Sequence, residues 1–421
     1  MQVDLSSALE AVDDLGGYHR ELLSSLVATP SVRGDSTAVH ELCASQLERA
    51  RMQVDLITPR VDELERHPEW SPPDPSVDVA DPGRLVSVVG SAGEGPGILL
   101  FAHIDTEKPD PREHWETDPY RATQVGDRIY GLGTADDKAG VVSVLAAARA
   151  LVPNLRGARL VVGLVHGKLG GGLGTLPTMA GVGDVDAAVY CHPAETGRGM
   201  SQIKVASRGY FNFRIKTSGR RPDPVEIRTP QSEDPRLGVN AFSRLRSVLE
   251  AVERWAENKD RVVCSVNRVA AGADPLVVPE QAVAEGAVWF QSETASQLYD
   301  RLSRVALEAG ASSTAMFGLR SNPARIPTDH PLVVATKSAI TAETGIIPGL
   351  YPTHVASDIR FPIRCLGVPA VGFGCLGGNF YGPNEWVNAD DLHRSTRVLV
   401  RMVSAWADRA TRSRFQPFHH K

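Results

Sequence analysis

A five-residue apolar run, Ile98–Ala102, leads directly into the sequence His-Ile-Asp at residues 103–105. A strand without any polar position is buried on both faces, which is typical of a parallel sheet with helices on either side. Further short apolar runs, Leu160–Val165 and Ala187–Cys191, alternate with segments of helical periodicity. Because alternating strands and helices build α/β folds, the sequence predicts a large α/β domain with a mostly parallel, twisted sheet.

The periodicity changes after Ile203 and changes back after Pro323. Residues 205–215 alternate between apolar and polar side chains, and a helix, two strands and a second helix are predicted to follow. This order is typical of a small α+β domain of the ferredoxin-like kind. We therefore predict a discontinuous α/β domain, residues 1–203 and 319–421, with an inserted α+β domain, residues 204–318.

Composition and charge exclude several classes of partner for this chain. The 421 residues carry a net charge of −5 without a long single-sign block, which argues against nucleic acid and anionic membrane surfaces. No apolar run reaches the ~18 residues of a membrane-spanning helix. The five cysteines are scattered and odd in number, so we expect no disulfide framework and a cytoplasmic location.

A second motif, Gly131–Gly140, reads G-L-G-T-A-D-D-K-A-G and opens a helical pattern. Together, the two motifs resemble the zinc-binding half of the M20 metallohydrolases, whose pattern is H-x-D followed by G-x-G-x-x-D-x-K-x-G. The resemblance extends from about residue 20 to residue 407. It implies a zinc-peptidase-like large domain and a homodimer formed through the inserted domain. It also implies that His103 and Asp136 bind metal and that Asp105 orients His103.

The resemblance further implies two zinc ions bridged by Asp136, and a Glu-Glu pair that provides the catalytic base and a metal ligand. In this chain the corresponding segment, residues 165–175, reads V-H-G-K-L-G-G-G-L-G-T. Gly167 therefore stands in the place of the base, and Lys168 stands in the place of the ligand. No Asp or Glu occurs between residues 155 and 183, so a shifted alignment cannot restore the pair.

The other two ligand positions are also changed. His192 stands where the family has an acidic ligand, and Tyr381 stands where it has a C-terminal histidine. One ion would keep His103, Asp136 and His192, whereas the other would lose both of its own ligands. The Lys168 ammonium is predicted to occupy the volume of the lost ion and to pair with Asp136. The alternatives are one zinc ion, no metal at all, or two metals with rearranged ligands.

The resemblance also suggests substrate-binding residues. The segment at residues 357–360 matches the family's S-D-x-R, which places Ser357 near substrate. Arg360 is either a clamp for a substrate carboxylate or a structural ion-pair partner. His354 is either a proton-transfer group or a loop histidine. Arg221 lies near the position of a histidine in hydrolytic relatives, and is either an anion binder or a solvated side chain.

Three functional hypotheses follow. The first is an M20-type enzyme that acts on an acylated amino acid or small peptide-like amide, with altered or non-hydrolytic chemistry such as acyl transfer, amide-bond formation or elimination. In this hypothesis Lys168, with a pKa lowered by burial, or Tyr381 replaces the missing base or nucleophile. The second is a metal-free, non-catalytic protein that binds a small molecule or a partner. The third is a conventional metal-dependent deacylase.

Overall fold

The computed structural model describes residues 3–32, 34–73, 84–168, 171–223 and 234–410. The chain divides into two compact units, the first formed by residues 1–207 and 324–421 and the second by residues 208–323. The boundaries predicted from the sequence are 203/204 and 318/319. Each unit contains its own cluster of buried apolar side chains.

The described strands and helices alternate along the first unit as expected for an α/β fold. The strands of the whole chain, in order, are β1 (Gln53–Ile57), β2 (Ser87–Gly93), β3 (Gly97–His103), β4 (Thr123–Val125), β5 (Arg128–Tyr130), β6 (Arg159–Val165), β7 (Ala187–Tyr190), β8 (Gln202–Lys204), β9 (Ala206–Ser218), β10 (Val262–Ala271), β11 (Gln281–Phe290), β12 (Ser313–Ser321), β13 (Ala324–Arg325), β14 (Gly349–Tyr351), β15 (His354–Val355), β16 (Ala370–Gly372), β17 (Gly377–Gly378) and β18 (Trp386–Asn388).

The helices are distributed over both units. In chain order they are α1 (Leu5–Asp13), α2 (Tyr18–Ala28), α3 (Thr37–Arg49), α4 (Val61–Leu64), α5 (Ala139–Leu151), α6 (Thr175–Gly181), α7 (Ala241–Glu257), α8 (Ala295–Glu308), α9 (Pro331–Thr344) and α10 (Ala389–Ala410). Among these described helices, none has the combination of length and apolar sequence needed to cross a lipid bilayer.

The large sheet of the first unit has the strand order β1-β2-β6-β3-β7-β16-β8-β14. Its centre is parallel, because β3 pairs in parallel with β6 and β7, and β7 pairs in parallel with β16. Towards one edge, β1, β2 and β6 pair antiparallel, so the complete sheet is mixed. Every residue of β3 is buried, which agrees with the uninterrupted apolar run in the sequence. The predicted α/β class is confirmed.

Helix α5 packs closely against the centre of this sheet. All of its residues except Arg149 are buried, and most are alanine or valine, whose small side chains allow a close approach. Gly140, in the first turn, shows how close this approach is. A Cβ atom at Gly140 would lie only 2.0 Å from the carbonyl oxygen of Cys191, at the end of β7. The start of α5 and the end of β7 are thus held together at the edge where the functional residues lie.

The second unit contains a four-stranded antiparallel path, β10-β11-β9-β12, with helices α7 and α8. The element order β-α-β-β-α-β is the predicted ferredoxin-like one, completed by a strand that the sequence analysis did not identify. That strand, β12, has mostly half-buried positions, and Ser321, its last residue, is the one buried position among them. A strand without a clear alternation between buried and exposed positions gives no period-two signal, which explains why it was missed.

His19 is buried, although its polar sequence context predicts exposure to solvent. It lies on α2 with only 3% of its surface exposed, and its Nε2 is 3.1 Å from Thr396 Oγ1. Its ring centroid lies 5.5 Å from that of His393, which contacts Asp13. Burial, with a smaller contribution from the charge of His393, lowers the pKa of His19 to about 4.

We expect this histidine to make the fold sensitive to mild acid. The folded state disfavours protonated His19. Its contribution to the free energy of unfolding is therefore complete above pH 6.5 and decreases by roughly 3 kcal/mol as the pH falls towards 4. Urea unfolding of wild type and His19→Gln between pH 7 and 4.5 measures the effect, since glutamine does not titrate. The variant should show the shallower decline, and His114→Gln, at an exposed position, serves as the control. Equal declines in wild type and His19→Gln would contradict the prediction.

Candidate metal centre

Three buried side chains converge at the edge of the large sheet where the parallel strands end. His103 is the last residue of β3, His192 follows β7, and Asp136 lies in the turn before α5. Since parallel strands all end at the same edge, residues distant in sequence meet there. His103 and His192 are fully buried, and Asp136 is 2% exposed.

One carboxylate oxygen joins the two histidines. Oδ1 of Asp136 lies 2.6 Å from Nε2 of His103 and 2.7 Å from Nε2 of His192. The second oxygen, Oδ2, is buried and has no hydrogen-bond partner in the structure. One potential ligand atom from each of the three residues lies within 4.8 Å of the others, so this group can hold a metal ion.

The opposite nitrogen of each ring is held by a main-chain oxygen. Nδ1 of His103 is 3.0 Å from the carbonyl oxygen of Asp105 and 3.4 Å from the carboxylate of Asp105. Nδ1 of His192 is 2.8 Å from the carbonyl oxygen of Pro193. Burial lowers the pKa of His103, but Asp136 outweighs burial and raises it to about 10, so Nε2 of His103 carries a hydrogen that it donates to the shared carboxylate. A metal ion would take the place of that hydrogen, with Nδ1 still donating to the main-chain oxygen.

Glu385 shapes the turn that carries Asp136. Its two carboxylate oxygens accept hydrogen bonds from the main-chain nitrogens of Gly133, Ala135 and Asp136 at 2.8, 2.7 and 2.8 Å. Glu385 is 1% exposed, and it comes from the C-terminal part of the chain. This positioning role of Glu385 was not predicted from the sequence.

Lys168 and Tyr381 lie beside Asp136, as the sequence predicts. Nζ of Lys168 is 3.6 Å from Oδ1 of Asp136 and donates a hydrogen bond to the Tyr381 hydroxyl at 3.1 Å. The Tyr381 hydroxyl in turn donates to Oε1 of Glu195 at 2.9 Å. These four side chains form a continuous chain of charges and hydrogen bonds along one side of the centre.

The charge state of Lys168 differs from the one predicted. Burial lowers the pKa of Lys168, as the sequence argument assumed, but the Asp136 carboxylate outweighs burial and raises it well above its usual value. Burial, together with Asp136, raises the pKa of Tyr381 well above its usual value. At neutral pH Lys168 is therefore an ammonium group and Tyr381 a phenol. The prediction of a lowered Lys168 pKa is wrong for this structure, because the attraction of the Asp136 carboxylate exceeds the effect of burial.

Glu195 is a site residue that the sequence analysis missed. Its Oε1 lies 3.6 Å from Nε2 of His192 and 3.7 Å from Nε2 of His354. Glu195 and Tyr381 both have left-handed backbone conformations, with φ of 55° and 63°, which cost energy for residues other than glycine. A strained backbone at two side chains that contact each other is typical of functional sites. The available sequence signal was the spacing, since Glu195 comes three residues after His192.

Lys204, from β8, is the second missed residue. It is fully buried, with Nζ 2.8 Å from Nδ1 of His192 and 4.7 Å from the centre of the Tyr190 ring. Burial lowers the pKa of Lys204 to about 7. Burial and Lys204 both lower the pKa of His192, so this imidazole is neutral. A neutral imidazole is the form that binds a metal.

The predicted substrate-binding residues are distributed over both units. His354 lies at the centre through its contact with Glu195. Ser357 and Arg360 are buried, and Nη1 of Arg360 donates to the carbonyl oxygen of Ala356 at 3.0 Å and contacts Asp358 at 3.2 Å. These contacts favour the structural ion-pair alternative for Arg360. Arg221 is an exposed residue of the second unit, and its predicted role stays a prediction.

The residues present fit one metal ion at His103, Asp136 and His192. Two imidazole nitrogens and a carboxylate are ligands that zinc prefers, and the buried Oδ2 of Asp136 lacks a partner. In a tetrahedral zinc site, neighbouring ligand atoms are separated by ~3.3 Å, given metal–ligand distances of about 2.0–2.1 Å. The observed separations of 2.6 and 2.7 Å are hydrogen-bond lengths, so binding requires a small opening of the three side chains.

The residues present do not fit a second ion beside Asp136. That position is bordered by the Lys168 ammonium, which has no lone pair, and by the neutral Tyr381 phenol. Gly167 has no side chain to contribute.

A His-Asp-His group at the strand ends of an α/β fold is an arrangement that metallohydrolases use to bind zinc. The family model described as peptidase family M20/M25/M40 matches residues 99–405, and the chain belongs to this family. The members of the family are hydrolases. The resemblance stated from the two sequence motifs is thus confirmed.

Individual relatives are similar over nearly their whole length. A succinyl-diaminopimelate desuccinylase of Methylobacterium radiotolerans is 26% identical over 402 residues, which cover 91% of this chain and 96% of the relative. A tripeptidase structure from Staphylococcus aureus has a TM-score of 0.69 at 15% identity and covers 97% of this chain and 100% of its own. A Bacillus subtilis structure described as a dinuclear metal binding peptidase from the M20 family has a TM-score of 0.61 at 16% identity, with coverages of 94% and 99%.

Proposed function

We propose that this chain cleaves the amide bond of an N-acylated amino acid or small peptide-like molecule, using one divalent cation at His103, Asp136 and His192. The observation that carries this proposal is the convergence of the three ligand atoms within 4.8 Å at the strand ends. Similarity to enzymes named succinyl-diaminopimelate desuccinylase makes an N-succinylated diamino acid the first substrate to test. A homodimer and a cytoplasmic location remain part of the proposal.

The bound ion would supply Lewis acidity to the amide carbonyl and lower the pKa of the attacking water. The remaining tasks fall to the chain's own side chains. Oε1 of Glu195, 3.6 Å from the metal-facing nitrogen of His192, is placed to accept the proton of the water as the C–O bond forms. The same proton then passes to the amine nitrogen as the C–N bond breaks. Glu195 thereby takes over the task of the carboxylate missing at Gly167.

Lys168 and Tyr381 assist this step through the charges they provide. The Tyr381 hydroxyl donates a hydrogen bond to Oε1 of Glu195 and so fixes the direction of the carboxylate. The Lys168 ammonium, 3.6 Å from Oδ1 of Asp136, stabilises negative charge on that side of the centre. If an amine attacks the carbonyl instead of water, the same arrangement performs acyl transfer. Identification of the products distinguishes acyl transfer from hydrolysis.

A specific observation favours a second candidate, a metal-free binding protein. Asp136 already accepts close contacts from both histidines and is neutralised by Lys168. With Nε2 of His192 donating to Asp136, Nδ1 can accept from Lys204, which lies 2.8 Å away. The centre is therefore a complete hydrogen-bond network without an ion, as a protein that only binds a small molecule would need.

Metal removal separates the two candidates. We expect the zinc-loaded chain to release free amine from N-succinyl-diaminopimelate or from another member of a panel of N-acylated amino acids. A chelator should abolish this release and added Zn²⁺ should restore it, since the ion polarises the carbonyl. His103→Ala, which lacks a ligand, is the control that zinc should not rescue. Absence of both bound metal and turnover, together with thermal stabilisation by one panel member, would favour the binding protein.

A further inference from the structure

We infer that the Lys168 ammonium stands in for the second ion of the dinuclear M20 centre, so that this chain holds no more than one divalent cation. Dinuclear metal binding is a described property of a structural neighbour from the same family. The inference concerns the position beside Asp136, and it rests on the proposed function only for the location of the first ion.

The ammonium group is fixed at this position by contacts on different sides. Nζ of Lys168 pairs with Oδ1 of Asp136 at 3.6 Å and donates to the Tyr381 hydroxyl at 3.1 Å. It also lies 5.3 Å from the centre of the Tyr381 ring, within the range of a cation–π contact. The Lys168 side chain is only 10% exposed, so the charge is not free to move into solvent.

The ammonium also performs the electrostatic task of an ion. Asp136 is buried at 2% exposure, and an ionised carboxylate at such a position needs a compensating positive charge. Lys168 provides this charge on one side, while the metal-facing nitrogens of His103 and His192 lie on the other. A divalent ion placed next to the ammonium would be repelled at short range, in surroundings where water screens little.

The two substituted ligand positions, Lys168 and Tyr381, lie together on one side of the centre. Lys168 and Tyr381 stand at the two positions that would belong to the second ion alone, and in the structure they are hydrogen-bonded to each other. The first ion keeps a complete set of nitrogen and carboxylate ligands. Independent decay of the site would not produce a mutually bonded pair on one side and an intact ligand set on the other.

Metal stoichiometry tests the inference without reference to activity. We expect one zinc ion per wild-type chain by elemental analysis after gel filtration, and a single class of site by titration calorimetry. The double variant Lys168→Glu/Tyr381→His restores a carboxylate and an imidazole at the second position. It should bind a second zinc ion and shift the stoichiometry from one to two.

Matched variants complete the experiment. Lys168→Met removes the ammonium without adding a ligand, and Tyr381→Phe removes only the hydroxyl, so neither should gain an ion. Two ions in wild type would overturn the inference whether or not the variants fold. A double variant that unfolds cooperatively but does not gain an ion would also overturn it. If wild type binds no ion at all, the proposed function is contradicted. In that case, a gain of one ion in the double variant would still support the inference that Lys168 occupies the position of the second ion.

Discussion

Replacing Asp136 by asparagine is expected to remove the bound cation and to lower the free energy of unfolding by about 3–5 kcal/mol. The physical reason is the number of groups that depend on one oxygen. Oδ1 contacts His103 and His192 at hydrogen-bond distance and pairs with Lys168. A neutral amide would leave the nearly buried Lys168 ammonium without its counter-charge and would remove the carboxylate ligand. Loss of the ligand should also reduce turnover to background.

The neighbouring residue provides a matched control for this experiment. Asp137 is fully buried, like Asp136, but burial raises the pKa of its carboxyl group well above the usual value, so the group is protonated. Asp137→Asn therefore exchanges one neutral group for another and should cost much less stability. Urea unfolding and zinc analysis of both variants measure the difference. Equal destabilisation by the two substitutions would show that the charge of Asp136 does not carry the effect.

Glu195→Gln should lower kcat for amide hydrolysis by roughly 10²–10⁴-fold, the usual contribution of a positioned proton acceptor. Glutamine keeps the shape of the side chain and still accepts the hydrogen bond from Tyr381, but it cannot take a proton. Because the amide oxygen still accepts the hydrogen bond from Tyr381, the variant should remain folded. Steady-state kinetics on the substrate found by the panel measures kcat and KM separately, and KM should remain similar.

Tyr381→Phe is the comparison for Glu195→Gln. It removes the hydroxyl that donates to Glu195 at 2.9 Å but leaves the carboxylate in place, so kcat should fall far less. Zinc content should be unchanged in both variants. Full activity of Glu195→Gln would exclude the proposed proton transfer. Loss of zinc from Glu195→Gln would show that Glu195 acts as a ligand rather than as a proton acceptor.

The sequence alone predicted the architecture and the three residues of the candidate metal centre. An uninterrupted apolar run requires burial on both faces, and β3 is buried along its whole length. The resemblance to the two M20 motifs predicted the ligand positions, and in the structure His103 ends β3 and Asp136 lies in the turn before α5. Buried strands and sequence motifs depend on residues that are close together in the chain, so they can be predicted without the tertiary structure.

Only the tertiary structure decided the chemistry of the centre. Glu195 reaches His192 through a left-handed backbone turn, and Lys204 reaches the same ring from another strand. The pKa of Lys168 is set by its distance to Asp136, and burial alone indicates the opposite direction. Electrostatic interactions depend on distances between residues far apart in the chain, and hydrophobic periodicity contains no information about those distances.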